Sequence, residues 1–141
     1  MKSKTTIKLL LISLIFIFSG CKINQTKNKE REGKWIYTDN INEVRYQSKG
    51  KYKKGVEIKT WRHFANKRLV KKEKYKKGIC HVTSYHPNGK IASIGQTKMI
   101  ETKEDVHWFY SGDWKFFDKN GKATFLKKYE NGELISEQEI Q

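Results

Sequence analysis

Gly112-Asp113-Trp114-Lys115-Phe116-Phe117-Asp118-Lys119-Asn120-Gly121-Lys122 reads as a strand that runs into a tight turn. Trp114, Phe116 and Phe117 suit a pleated, half-buried surface. Asn120-Gly121 is the pair best able to reach positive φ in a two-residue hairpin turn. Ala123, Phe125 and Leu126 then begin a return strand, and Tyr129-Glu130-Asn131-Gly132 ends on a second turn signal. A helix is the competing reading, but two Asn-Gly pairs 11 residues apart argue against it.

The same pattern recurs upstream. Trp61-Arg62-His63-Phe64 is followed by Asn66, Leu69, Tyr75 and Gly78; Val82-Thr83-Ser84-Tyr85 is followed by Asn88-Gly89-Lys90-Ile91 and Gly95. In each copy an aromatic stands three residues after the first bulky position, and an Asn follows two or three residues later. A degenerate first copy runs from Gly33-Lys34-Trp35-Ile36-Tyr37 to Tyr52-Lys53-Lys54-Gly55. Asn66 and Asn88 are 22 residues apart and Asn88 and Asn120 are 32 apart, so roughly ten extra residues fall between Gly95 and Gly112. Self-similarity on this scale marks a repeat architecture in which each unit buries its apolar face against its neighbours.

Gly112-Asp113-Trp114 with Phe117, Asn120-Gly121-Lys122 and Tyr129-Glu130-Asn131-Gly132 resembles the MORN-repeat variant of many bacterial proteins, and Tyr85-His86-Pro87-Asn88-Gly89-Lys90 is the next best match. The resemblance covers residues 33–135 in about four units. It departs at Asn66-Lys67-Arg68, which stands in place of Asn-Gly-Lys, and at Val82, which stands in place of Trp. It implies an all-β fold, an antiparallel meander of β-hairpin repeats. Some members of that family carry an antitoxin label, which implies, as the alternative role, an antitoxin- or immunity-type protein that neutralises a protein partner.

The N-terminus reads differently. Lys2, Lys4 and Lys8 precede an apolar run from Leu9 to Phe18 broken only by Ser13, too short to span a bilayer comfortably and sized for a signal h-region. Phe18-Ser19-Gly20-Cys21 resembles a bacterial lipobox, with Phe18 where Leu is usual. An ordinary signal peptide with a chance cysteine, or an uncleaved anchor, are the other readings. The lipobox makes residues 1–20 a lipoprotein signal peptide and Cys21 the lipidated (palmitate-bearing) residue. It places the protein in the cell envelope, anchored to a bacterial membrane and facing outside the cytoplasm. Residues 21–32 are polar and read as a flexible tether, and residues 33–141 as one hairpin-repeat domain.

Strand signals fall at Lys34 to Thr38, Glu43 to Tyr46, Val56 to Trp61, Leu69 to Tyr75, Cys80 to Tyr85, Ile91 to Ile94, Trp108 to Phe117 and Ala123 to Tyr129. Turn signals sit at Gly50, Lys54-Gly55, Lys77-Gly78, Asn88-Gly89 and Asn120-Gly121. Met99 to Asp105 is polar and lacks alternation, which reads as a loop or a short helix.

Chemistry-bearing motifs are sparse. Cys80 and His81 are neighbours, and on a strand adjacent side chains point to opposite faces, so Cys80 is expected on the inner face. His63, His81, His86 and His107 have no metal-ligand spacing and are expected at solvated positions; only His81 and His86 could approach across a hairpin. Asp113 is expected to serve a turn backbone. With no phosphate loop, serine elbow or placed carboxylate pair, the reading is non-enzymatic, without cofactor or metal.

Charge carries the remaining signal: net charge is +15, and without Lys2, Lys4 and Lys8 the chain keeps 27 basic against 15 acidic residues. Lys71, Lys72, Lys74, Lys76 and Lys77 alternate with Glu73 and Tyr75, which predicts a basic face; Trp35, Trp61, Tyr85, Trp114 and Phe117 are expected to form an aromatic rib beside it. A basic, aromatic-ribbed sheet implies a membrane-anchored binding or scaffold module whose partner is anionic lipid, acidic polysaccharide or a protein. Nucleic acid is a poor partner for an exported chain. The competing explanation is that edge-strand lysines keep chains from pairing with one another.

Overall fold

The computed structural model describes residues 22–101 and 106–140; the signal segment and Cys21 lie outside them. Ten antiparallel strands form one sheet in which spatial order follows chain order. They are β1 (Gln25–Lys27), β2 (Glu30–Ile41), β3 (Val44–Lys53), β4 (Val56–Ala65), β5 (Arg68–Lys76), β6 (Ile79–Tyr85), β7 (Ile91–Glu101), β8 (Val106–Phe117), β9 (Ala123–Glu130) and β10 (Glu133–Glu139). The all-β meander of hairpins expected from the turn spacing is what the chain forms.

Among the described residues the turns divide into two kinds. Asn28-Lys29, Asn42-Glu43, Lys54-Gly55, Asn66-Lys67, Lys77-Gly78 and Asn131-Gly132 each place both residues at positive φ, the two-residue hairpin that matches strand twist. Asn120-Gly121 does not: only Gly121 is at positive φ (92°), the Gly121 N–H donates to Asp118 O at 3.0 Å, and the Asp118 N–H donates to Lys122 O at 2.9 Å. This is a turn that closes on a glycine bulge, and His86 to Lys90 repeats it around Gly89. Asp118 Oδ1 accepts from the N–H groups of Asn120 and Lys122 at 2.8 and 2.9 Å. The Lys122 N–H above all holds that carboxyl below its usual range. The carboxylate that serves the turn is therefore Asp118, while Asp113 is exposed opposite Lys128.

Three further expectations change. Gly50 lies within β3, because the Trp61 ring covers it: a Cβ there would fall 2.0 Å from the ring. β7 and β8 continue into the insertion before Gly112, pairing Gln96 with Ser111 through to Glu101 with Val106, so Met99 to Glu101 are on a strand, and the rest of the expected loop, 102–105, lies outside the described residues. The segment read as a tether carries β1 and the start of β2, joined by Gln25↔Glu32 and Lys27↔Glu30. All three residues of β1 are exposed, so backbone pairing rather than burial places it.

Cross-strand partners share a face. One row runs Trp35↔Gly50, Trp61↔Glu73↔Val82↔Gly95 and Trp114↔Lys127↔Glu137. Around it lie the buried residues Tyr52, Trp61, Cys80, Val82, Ser93 and Trp114. The adjacent row, on the opposite face, runs Ile36↔Lys49↔Arg62↔Lys72↔Thr83↔Ile94↔Lys115↔Leu126. The sheet thus has an aromatic face and a face whose first half is basic.

Candidate functional site

The aromatic face is built on a joint used twice. In the first, Lys59, Thr60 and Trp61 oppose the single residue Gly50; in the second, Gly112, Asp113 and Trp114 oppose Gly95. The first residue of each trio takes positive φ, 60° at Lys59 and 66° at Gly112, which swings the Trp over its glycine. Trp61 Nε1 donates to Lys51 O at 3.1 Å and Trp114 Nε1 to Gln96 O at 3.0 Å, each one residue past the covered glycine. A Cβ on Gly95 would meet the Trp114 ring at 2.1 Å. Only glycine admits either ring.

Beside Trp61 the joint is closed. Tyr52 packs edge-on against Trp61 at 5.0 Å, and the Arg31 guanidinium lies over Tyr52 at 5.2 Å and over Trp35 at 5.8 Å. Beside Trp114 it is open. Tyr110 supplies the edge-on ring at 4.5 Å, from the facing strand, and Thr97 occupies the place of Tyr52. A cleft of about 390 Å³ results, walled by Trp108, Tyr110, Phe116 and Tyr129, with Ser84, Ser93, Thr97, Lys71 and Glu73 also lining it.

Glu73 anchors the polar side of that cleft. Its Oε2 accepts from His63 Nε2 at 2.7 Å and from the Tyr75 hydroxyl at 3.1 Å, and its Oε1 meets Lys71 Nζ at 2.8 Å. Burial alone would raise its pKa, but the bonds from His63 and Lys71 outweigh that and hold it down at about 2. An ionised carboxylate only accepts, so His63 Nε2 donates to it, while Nδ1 shares a hydrogen bond with Ser48 Oγ at 2.9 Å. Burial, reinforced by Glu73, pushes Tyr75 up, and burial pushes the Cys80 thiol up to about 11. His63 is therefore a half-buried histidine tied into a hydrogen-bond network and not the solvated one expected. Ser48, His63 and Glu73 line up in series, with Ser48 mid-strand between Tyr37 on β2 and His63 on β4. The series positions Glu73.

The remaining polar candidates separate. His86 bonds Phe117 O at 2.8 Å and fixes the β6–β7 turn to β8, while His81 is exposed on the other face, opposite Lys74 and Gln96. The two do not form a metal pair, and among the described residues no group of His, Cys, Asp or Glu could hold a metal ion. Cys80 is buried on the inner face, as alternation requires.

The aromatic rib is partly relocated. Trp35, Trp61 and Trp114 share a face, but Trp61 and Trp114 are 3% and 4% exposed and so belong to the core. Tyr85 and Phe117 follow bulges that break alternation, and Lys115 Nζ sits over Phe117 at 5.6 Å, away from the tryptophan row. The rings a ligand can reach on the tryptophan side include Tyr37 and Tyr110, 38% and 49% exposed, which the Trp-x-x-aromatic spacing does not pick out.

The lysines divide as well. Lys71 faces the aromatic side and pairs with Glu73; Lys72 and Lys74 face the other side, Lys76 is exposed opposite Ile79, and Lys77 is in a turn. The larger basic cluster is not one run of the sequence. Lys34, Lys49, Lys51, Lys59 and Arg62 line an open groove of about 380 Å³, and Lys72 continues the row from Arg62. The chain spreads these residues over β2 to β5, and only the register assembles them. Among the described residues no carboxylate forms an ion pair with Lys49, Arg62 or Lys72. Comparison with family models, curated proteins and solved structures found no match for the chain.

Proposed function

We propose that the protein is a non-enzymatic binding module, anchored through Cys21, that docks its basic face on the anionic headgroups of the membrane carrying it. The observation that supports this reading is the row Lys49↔Arg62↔Lys72. Directly opposed like charges on adjacent strands, about 4.8 Å apart, destabilise a sheet. They oppose self-pairing only on an edge strand, yet β3, β4 and β5 are each paired on both sides. An anionic surface laid across the row offsets the repulsion. The anchor is compatible with this docking: Ile23, two positions after Cys21 in the sequence, bridges Lys34 at the margin of the groove. The MORN-like reading of the repeats belongs to the same proposal, supported by the recurring hairpins.

The test is co-sedimentation of the chain beginning at Lys22 with vesicles of anionic or zwitterionic phospholipid. Each basic residue near an anionic membrane contributes about 1 kcal/mol, so Lys49→Gln/Arg62→Gln/Lys72→Gln is expected to weaken binding roughly a hundredfold. Binding should also fall steeply with salt. Equal binding to both vesicle types, or none to either at low salt, would refute the proposal.

A further inference from the structure

The two joints differ in one exchange that leaves a cavity. Tyr52 on β3 pairs with Glu57 on β4; at the corresponding places Thr97 on β7 pairs with Tyr110 on β8. Moving the aromatic ring to the facing strand keeps the edge-on contact with the tryptophan and vacates the space in which Tyr52 packs. What lines the vacated space has a definite chemistry. Tyr110 is 49% exposed over the buried Trp114, and Trp108 and Tyr129 supply further ring surface. Ser84, Ser93, Thr97 and the Lys71–Glu73 pair line the same cleft, with Thr97 the cross-strand neighbour of Tyr110. That pair is internally neutralised, so the cleft offers hydrogen-bond donors and acceptors without net charge.

We propose that this cleft binds a neutral saccharide, one pyranose ring stacked on the Tyr110–Trp108 wall with its hydroxyl edge toward Lys71, Glu73, Ser84 and Thr97. A pyranose has apolar C–H faces and a polar rim, the combination that an aromatic wall and a hydroxyl-and-ion-pair floor can match together. The cleft falls in the size range of small-ligand sites, about 300–1,000 Å³. Glu73 arrives pre-positioned, because His63, Tyr75 and Lys71 fix both its oxygens before any ligand enters. A bare quaternary ammonium also suits aromatic walls, but Lys71 cancels the carboxylate that would attract it. The saccharide site lies on the face opposite the basic groove, so it is independent of membrane docking.

The experiment titrates the full-length chain, in a detergent without sugar groups and at about 0.5 M salt to screen the basic face. Intrinsic tryptophan fluorescence is followed against cellotriose, chitotriose and tetramethylammonium. A saturable response to at least one saccharide is expected, reduced roughly tenfold or more in Thr97→Tyr/Tyr110→Glu, which installs the closed arrangement that the first joint already carries. Circular dichroism checks that variant's fold. Should it fail to fold, Tyr110→Leu decides, with the same loss expected. Binding of tetramethylammonium alone, no response to any probe, or saccharide binding that survives both substitutions would overturn the proposal. Vesicle binding remains unaffected in all of these variants if the two faces are separate.

Discussion

Trp61 over Gly50 and Trp114 over Gly95 are the same joint set in different surroundings. Each has a serine two residues before the glycine, Ser48 or Ser93, and a tryptophan N–H bonded one residue after it. On the aromatic side the first is filled by Tyr52 and capped by Arg31, whereas the second opens into the cleft. On the opposite side the residues before the glycines are Lys49 and Ile94, whose partners are Arg62 and Lys115. The first copy therefore closes its aromatic side and presents cations behind; the second opens its aromatic side and presents half that charge. The repeated joint provides the scaffold, and a few differing residues beside it allot the faces.

The sharpest way to break the comparison is to remove its shared element. Gly50→Ala and Gly95→Ala each place a Cβ near 2 Å from a tryptophan ring, which must move and give up its N–H bond. Both are expected to lose about 3 kcal/mol in denaturant unfolding. A loss at one site and none at the other would mean the joints are not equivalent.

A smaller effect separates backbone strain from packing. Gly121 has φ of 92°, and a Cβ there meets nothing within 4 Å, so Gly121→Val is strained by conformation alone. It should cost roughly 1–3 kcal/mol, and Lys119→Val in the same turn far less. Equal melting shifts would contradict the glycine-bulge turn.

How much of this was legible in the sequence follows from what each feature depends on. Asn-Gly pairs and aromatic spacing are local signals, and they placed the turns at Asn88-Gly89, Asn120-Gly121 and Asn131-Gly132 but not the long β7–β8 hairpin. Gly50 misled because a glycine in a strand and a glycine in a turn look alike until the covering ring, eleven residues on, is placed. Ser48-x-Gly50 and Ser93-x-Gly95, each ahead of a tryptophan, were the available signal for the joints. β10 gave only the Asn131-Gly132 turn ahead of it: the strand is exposed throughout and held by pairing and by Lys127–Glu137 at 2.9 Å. The cation row needed the register of three strands, which bulges at Gly50 and near Leu69 shift out of simple alternation.

Acid should act through the polar network between the joints. Glu73 is held at about 2, below its ordinary value of 4.5, so its contribution is fully present above pH 4.5 and is lost as pH falls through 2. Stability measured from pH 5 to 2 should fall more steeply for the parent than for Glu73→Gln. Parallel curves would remove Glu73 from the account.

The smallest effect tests the central claim most directly, that the cations of the first copy serve binding at the expense of the fold. Unfolding of Lys49→Gln/Arg62→Gln/Lys72→Gln is measured at low salt with no ligand present. Relief of two like-charge cross-strand contacts, each worth roughly 0.2–1 kcal/mol, predicts a variant more stable than its parent. A variant less stable than its parent would show that the row holds the sheet together, and would contradict the account.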